Sequence, residues 1–136
     1  QRLKTGPLKD VAPDADLWLD GGHNAAAGQA LASHLAQQSL RPTYLICGML
    51  NTKDVAGYLA PMAPYVAELF AVSIPGEANT LPAETTATAA KSVGMAATAA
   101  DTVNAAVAKI LKSDPASRIL ICGSLYLAGQ ILRENA

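Results

Sequence analysis

Short apolar runs alternate with helix-spaced segments along the whole chain. Leu17-Trp18-Leu19 predicts a short buried strand that ends in the turn Asp20-Gly21-Gly22, where glycine permits tight backbone conformations. Asn24 is placed as the N-cap of a helix over 25–38, with Ala27, Leu31, Leu35 and Ala36 at helical spacing and Pro42 beyond its end. Thr43 to Cys47 predicts a second strand closing at Gly48, followed by a loop through Asn51, Thr52 and Lys53 and a helix from Asp54 that Pro61 and Pro64 limit. A third strand is expected over 68–74, an alanine-rich helix over 82–92 ending at Gly94, and a short strand near 95–98. Asp101 is a candidate cap for a helix to about Lys112, with Val103, Ala106, Val107, Ile110 and Leu111 on its apolar face. Arg118 to Cys122 is the last strand, Gly123-Ser124 its turn, and 125–133 the closing helix.

Strands that read as apolar on both faces and alternate with helices indicate an α/β fold: a Rossmann-like, mostly parallel sheet with helices on both faces. At 136 residues the chain suits a single domain over 1–136. It opens on Gln1-Arg2-Leu3 without an initiator methionine, so it is expected to be an excerpt of a longer protein.

Composition narrows the partners. Half the residues are hydrophobic (51%) and only 15% are charged, which is enough apolar surface for a core and argues against disorder. The net charge of -1, with no cluster of Lys and Arg, disfavours nucleic acid. Asp20, Lys53, Glu68 and Asp101 interrupt the apolar stretches, so no run approaches the roughly 20 residues of a membrane span. Cys47 and Cys122 belong to no CxxC pair, which fits a reducing, cytoplasmic setting and no metal site. A monomer is the expected state.

In an open parallel sheet, ligands bind beyond the carboxyl ends of the strands, where helix N-termini present free N–H groups. Three segments place polar residues there: 20–24, 48–54 and 123–124. Asp20 can accept hydrogen bonds from ribose hydroxyls, or it can cap its own turn. Gly21 and Gly22 allow a ligand close to the backbone. His23 can meet a phosphate or base, or pack on the turn as a surface imidazole. Lys53 can neutralise a carboxylate or phosphate, or be solvated charge. Ser124, behind Gly123, can bind a carboxylate through its hydroxyl, or be an ordinary N-cap. There is no GxxxxGK[ST] loop, GxSxG elbow or GxGxxG fingerprint. The residues alone support a small-ligand α/β domain and no particular reaction; a non-catalytic nucleotide- or anion-binding module and an interaction domain are alternatives.

Taken together, three segments resemble the folylpolyglutamate and dihydrofolate synthases of the Mur ligase superfamily. Leu19-Asp20-Gly21-Gly22-His23-Asn24 is similar to the family's L-D-G-A-H-N signature, with Gly22 where alanine is usual. Gly48 to Asp54 is similar to G-x-x-x-x-K-D, and Gly123-Ser124-Leu125-Tyr126-Leu127-Ala128-Gly129 to G-S-L-Y-L-x-G. The resemblance implies the C-terminal domain of an ATP-dependent ligase that joins L-glutamate to dihydropteroate or a folate through an acyl phosphate. It implies that Asp20 holds the ATP ribose, that His23 lies beside the nucleotide, and that Lys53 and Ser124 hold the glutamate carboxylates. Gly21, Gly22, Asn24 and Gly123 then support the turns. It also implies that the phosphate loop and the Mg2+ ligands belong to an N-terminal ATPase domain absent from this chain, without which the chain is inactive.

Overall fold

In the computed structural model, which describes residues 1–38, 41–51 and 54–135, one six-stranded sheet organises the chain. Its strands are β1 (Arg2–Leu3), β2 (Asp16–Leu19), β3 (Thr43–Cys47), β4 (Glu68–Ala71), β5 (Ala97–Ala99) and β6 (Arg118–Cys122), in the spatial order β1-β2-β6-β3-β4-β5. All neighbours are parallel except β1, which runs antiparallel along β2. The helices are α1 (Pro7–Val11), α2 (Ala25–Gln37), α3 (Val55–Leu59), α4 (Ala83–Ser92), α5 (Val103–Ser113) and α6 (Leu125–Glu134), with a 3-10 turn over Ala60–Tyr65.

The period-two alternation of strand side chains divides the core between the two faces. Leu17, Leu19, Ile46, Phe70, Ile119 and Ile121 pack with residues of α1, α5 and α6 on one face. Leu45, Cys47, Leu69, Ala71, Leu120 and Cys122 pack with α2, α3 and α4 on the other. The expected α/β architecture is therefore present, with helices on both faces.

Some boundaries differ from the sequence expectation for local reasons. The fourth strand pairs only to Ala71, because its neighbour β5 ends at Ala99; the chain then runs on buried through Val72 and Ile74. The short strand lies over Ala97–Ala99 rather than 95–98. The cap of α5 is Thr102 and not Asp101: the Thr102 Oγ1 accepts from Ala105 N at 3.0 Å. Pro82 takes the N-cap position of α4, and Ala32 rather than Ala36 is buried along α2. The strand β1 and the five-residue helix α1 were not expected from the pattern.

A polar cluster closes the end of the sheet opposite the strand C-termini. The Asp16 carboxylate receives Arg2 Nε at 2.9 Å and Arg118 Nε at 3.4 Å, and Arg118 Nη1 donates to Thr43 Oγ1 at 3.3 Å. Burial pushes the Asp16 carboxyl up, but its polar neighbours Trp18, Arg2 and Arg118 outweigh that and hold it below the ordinary value of 3.8. A lowered folded pKa adds stability that is present above the ordinary value and is lost as pH falls through the folded one. Because Arg118 is buried, Arg118→Ala is expected to cost about 3 kcal/mol at neutral pH. The penalty should shrink as Asp16 is protonated, which urea unfolding at neutral and strongly acid pH would check.

Candidate functional site

The strand order creates the site before any side chain does. α2, leaving β2, and α3, leaving β3, cover one face, whereas α6, leaving β6, covers the other. β6 lies between β2 and β3, so the chain departs to opposite faces on each side of it. Such switch points leave crevices beyond the strand ends where ligands bind. The register aligns the three ends: Leu19 opposes Ile121, and Cys47 opposes Cys122. The turns 20–24, 48–51 and 123–124 therefore stand side by side, and the ladder continues into them through Asp20 N to Ile121 O at 3.0 Å and Gly48 N to Cys122 O at 3.1 Å.

In the first turn, Asp20 Oδ2 accepts from Gly22 N at 2.8 Å, so this carboxylate caps its own turn. Side chains crowd both following positions. A Cβ on Gly21 would overlap the Leu125 side chain, and one on Gly22 would lie 2.6 Å from Ala27 Cβ and 2.8 Å from Asp20 Oδ2. Ala27 thus fills the space an alanine at 22 would use. Asn24 caps α2 as expected, its Oδ1 accepting from Ala27 N at 2.9 Å. His23 is half-buried, with Nδ1 3.4 Å from the Gly21 carbonyl oxygen.

In the third turn, Gly123 has φ +107, a conformation that L side chains avoid. Ser124 follows, 2% exposed, and its Oγ accepts from Tyr126 N at 3.0 Å to cap α6. That bond uses a lone pair of the oxygen, and the hydroxyl still has a proton to donate.

The structure brings His23, Gly123 and Ser124 together around one cleft of about 240 Å³, completed by Leu50, Leu125 and Tyr126. Asp20 instead lines a different cleft of about 200 Å³, against Trp18, Leu31, His34 and Arg118. Lys53 lies outside the described residues, although Asp54 beyond it caps α3, its side chain accepting from Gly57 N at 3.0 Å. Sequence reasoning did not single out Leu125 and Tyr126, which are 70% and 58% exposed at the mouth of the cleft. Nothing local announces this, since consecutive large apolar residues of a helix can both be buried, as Tyr58 and Leu59 of α3 are. Among the described residues there is no group of three or more His, Cys, Asp or Glu that could hold a metal ion. No helix is long and apolar enough to cross a membrane among those residues.

The chain aligns in fold with a Mycobacterium tuberculosis folylpolyglutamate synthase complexed with ADP and AMPPCP, at 27% identity and a TM-score of 0.75, over 87% of this chain and 29% of that one. It also aligns with the ligand-free bifunctional folylpolyglutamate synthase/dihydrofolate synthase of Yersinia pestis, at 25% identity and a TM-score of 0.76, over 98% of this chain and 30% of that one. The chain thus spans under a third of the length of these solved relatives. No curated protein matches it in sequence. The family model for the C-terminal domain of dihydrofolate synthetase matches residues 4–134, nearly the whole chain, and the chain belongs to that family: it is a C-terminal domain of the folylpolyglutamate and dihydrofolate synthases.

Proposed function

We propose that this chain, as one domain of a longer cytoplasmic and monomeric ligase, supplies part of the ATP and glutamate sites for joining L-glutamate to dihydropteroate, a folate, or both. The observation that carries this reading is the alignment of three motif-bearing turns at the switch points flanking β6. The solved relative bound to ADP and AMPPCP supports nucleotide use.

In the reaction, a carboxylate oxygen of the pterin acid attacks the γ-phosphorus of ATP and ADP departs, leaving an acyl phosphate. The glutamate amine then adds to the acyl carbon, phosphate is expelled from the tetrahedral intermediate, and the nitrogen loses a proton to give the amide. This chain's part is positioning. Asp20 accepts the ribose hydroxyls with the carboxylate oxygen that its turn leaves free, and His23 lies beside the nucleotide. Lys53 and Ser124 orient the glutamate carboxylates, the serine through the proton that its cap bond leaves over and through the N-terminus of α6. Gly21, Gly22, Asn24 and Gly123 hold these turns. The phosphate loop and the Mg2+ ligands belong to the rest of the parent, so the chain alone is inactive.

The test is phosphate release from ATP by the full-length parent, with and without dihydropteroate or tetrahydrofolate and with and without L-glutamate. Release that requires both a pterin acid and glutamate is expected; no release with either pterin from a folded enzyme would sink the proposal. In that assay Asp20→Ala should raise the ATP KM, and Ser124→Ala the glutamate KM, each roughly tenfold or more, as for loss of a hydrogen bond to a charged group. Equal effects of Ser124→Ala on both substrates would contradict the division of roles.

A further inference from the structure

Beyond Ser124, helix α6 carries a cation with no ion-pair partner among the described residues. Tyr126, Gln130 and Arg133 follow one another at helical spacing and so share one face of α6. Together with Ile74 and Glu77 they line a cleft of about 130 Å³. Tyr126 also walls the cleft of about 240 Å³ that holds His23 and Ser124. The two clefts therefore lie on either side of one tyrosine and form a track along the helix.

Arg133 reaches toward the candidate site. An arginine in a last helical turn commonly serves the C-terminal carbonyls, where the macrodipole favours positive charge. Here the side chain instead follows the backward tilt of helical side chains: Arg133 Nη1 is 3.5 Å from the point that a Cβ on Gly129 would occupy. No atom of another element lies within 4 Å of that point, so packing does not explain this mid-helix glycine, a poor helix former. From Ser124 to Gly129 the helix rises about 7.5 Å, which sets the guanidinium a short step along the track. Both ion pairs among the described residues are made at Asp16, by Arg2 and Arg118. Glu77, the carboxylate in the same cleft, turns to its own loop, its Oε1 accepting from Asn79 N at 3.4 Å.

A planar guanidinium presents paired N–H donors that match a carboxylate. The chemistry of the two acceptors selects which carboxylate. Dihydropteroate has one, and the reaction consumes it. A folate already bears glutamate, so when one carboxylate is activated at least one other remains unreacted close by. Lys53 and Ser124 are committed to the incoming glutamate in the proposed function, and the inference rests on that reading. We infer that Arg133, with the Gln130 amide beside it, binds the unreacted carboxylate of a glutamate-bearing acceptor and so favours folates over dihydropteroate.

The test measures initial rates of phosphate release by the full-length parent and its Arg133→Gln variant, with tetrahydrofolate or dihydropteroate as acceptor. Arg133→Gln is expected to raise the KM for tetrahydrofolate roughly fivefold at low salt, the upper end for an exposed ion pair, while kcat and the KM values for ATP and glutamate hold. The difference from wild type should shrink as salt is added, because exposed charges are screened. That salt dependence, with an intermediate KM in Arg133→Lys, separates binding by charge from a structural role. Where the parent also uses dihydropteroate, the KM for that acceptor should not move. An unchanged KM for tetrahydrofolate, a rise confined to the glutamate KM, or equal rises for both acceptors overturns the inference. So does a parent that uses dihydropteroate but no folate, which leaves the ligase reading intact. No release with either pterin would instead sink that reading, and the inference with it.

Discussion

Gly28→Ala is expected to destabilise the chain by about 2 kcal/mol or more, although alanine in a helix is worth about 1 kcal/mol over glycine. Gly28 lies buried within α2 where that helix crosses α3. A Cβ there would fall on the backbone carbonyl of Tyr58, well inside the 3.0 Å that real Cβ atoms keep. A flexible side chain could rotate away from such a contact, but a carbonyl fixed in α3 cannot. The helices must separate, and overpacking of this kind costs about 1–3 kcal/mol or more. Urea unfolding should show a lower midpoint with an unchanged slope, and thermal unfolding a Tm lower by roughly 8 °C. A rise in stability would mean that helix propensity outweighs this contact.

The same glycine shows where sequence reading stops. The pattern reveals that a helix covers 25–38 but not that another helix's backbone approaches position 28, because helix crossing is fixed by partners distant in sequence. The central strands were legible because each is a short apolar run ended by glycine or a turn, and the caps at Asn24 and Ser124 because both precede a helical pattern. β1 was not legible: two residues carry no periodicity, and Arg2 and Leu3 are a strand only through pairing with Trp18 and Leu17. Asp101 and Thr102 are both good capping residues, and the choice depends on which one the backbone holds extended; that residue is Thr102, with φ -147 and ψ 164.

The site was legible as three turns but not as a set of neighbours. Strand order places β6 between β2 and β3, and nothing local announces it. Only that order brings His23 beside Ser124 while Asp20, three residues before His23, lines another cleft. It also sets Cys47 opposite Cys122, two residues 75 positions apart whose repeated Leu-Ile-Cys-Gly context reads, in sequence, merely as two strands meeting their turns.

Gly123→Ala should have the largest effect in the site itself, about 3 kcal/mol of stability, from two separable causes. The first is backbone strain: at φ +107 an L residue leaves its allowed regions, which costs of order 1–3 kcal/mol. The second is contact, since the new Cβ would lie 2.7 Å from the Gly48 carbonyl oxygen and 2.7 Å from Met49 Sδ. Met49 can adjust, but Gly48 is tied to β6 by its N–H bond to the Cys122 carbonyl at 3.1 Å, so one of the two turns must move. Gly94→Ala is the control, because Gly94 has φ +91 and nothing within 4 Å of its Cβ position. The difference between the two variants in urea unfolding isolates the contact, expected at about 1–3 kcal/mol. Equal losses would show that the turn has room to spare. If the contact does move the turn, the start of α6 moves with it, so Gly123→Ala in the folded parent should raise the glutamate KM while Gly94→Ala leaves it unchanged.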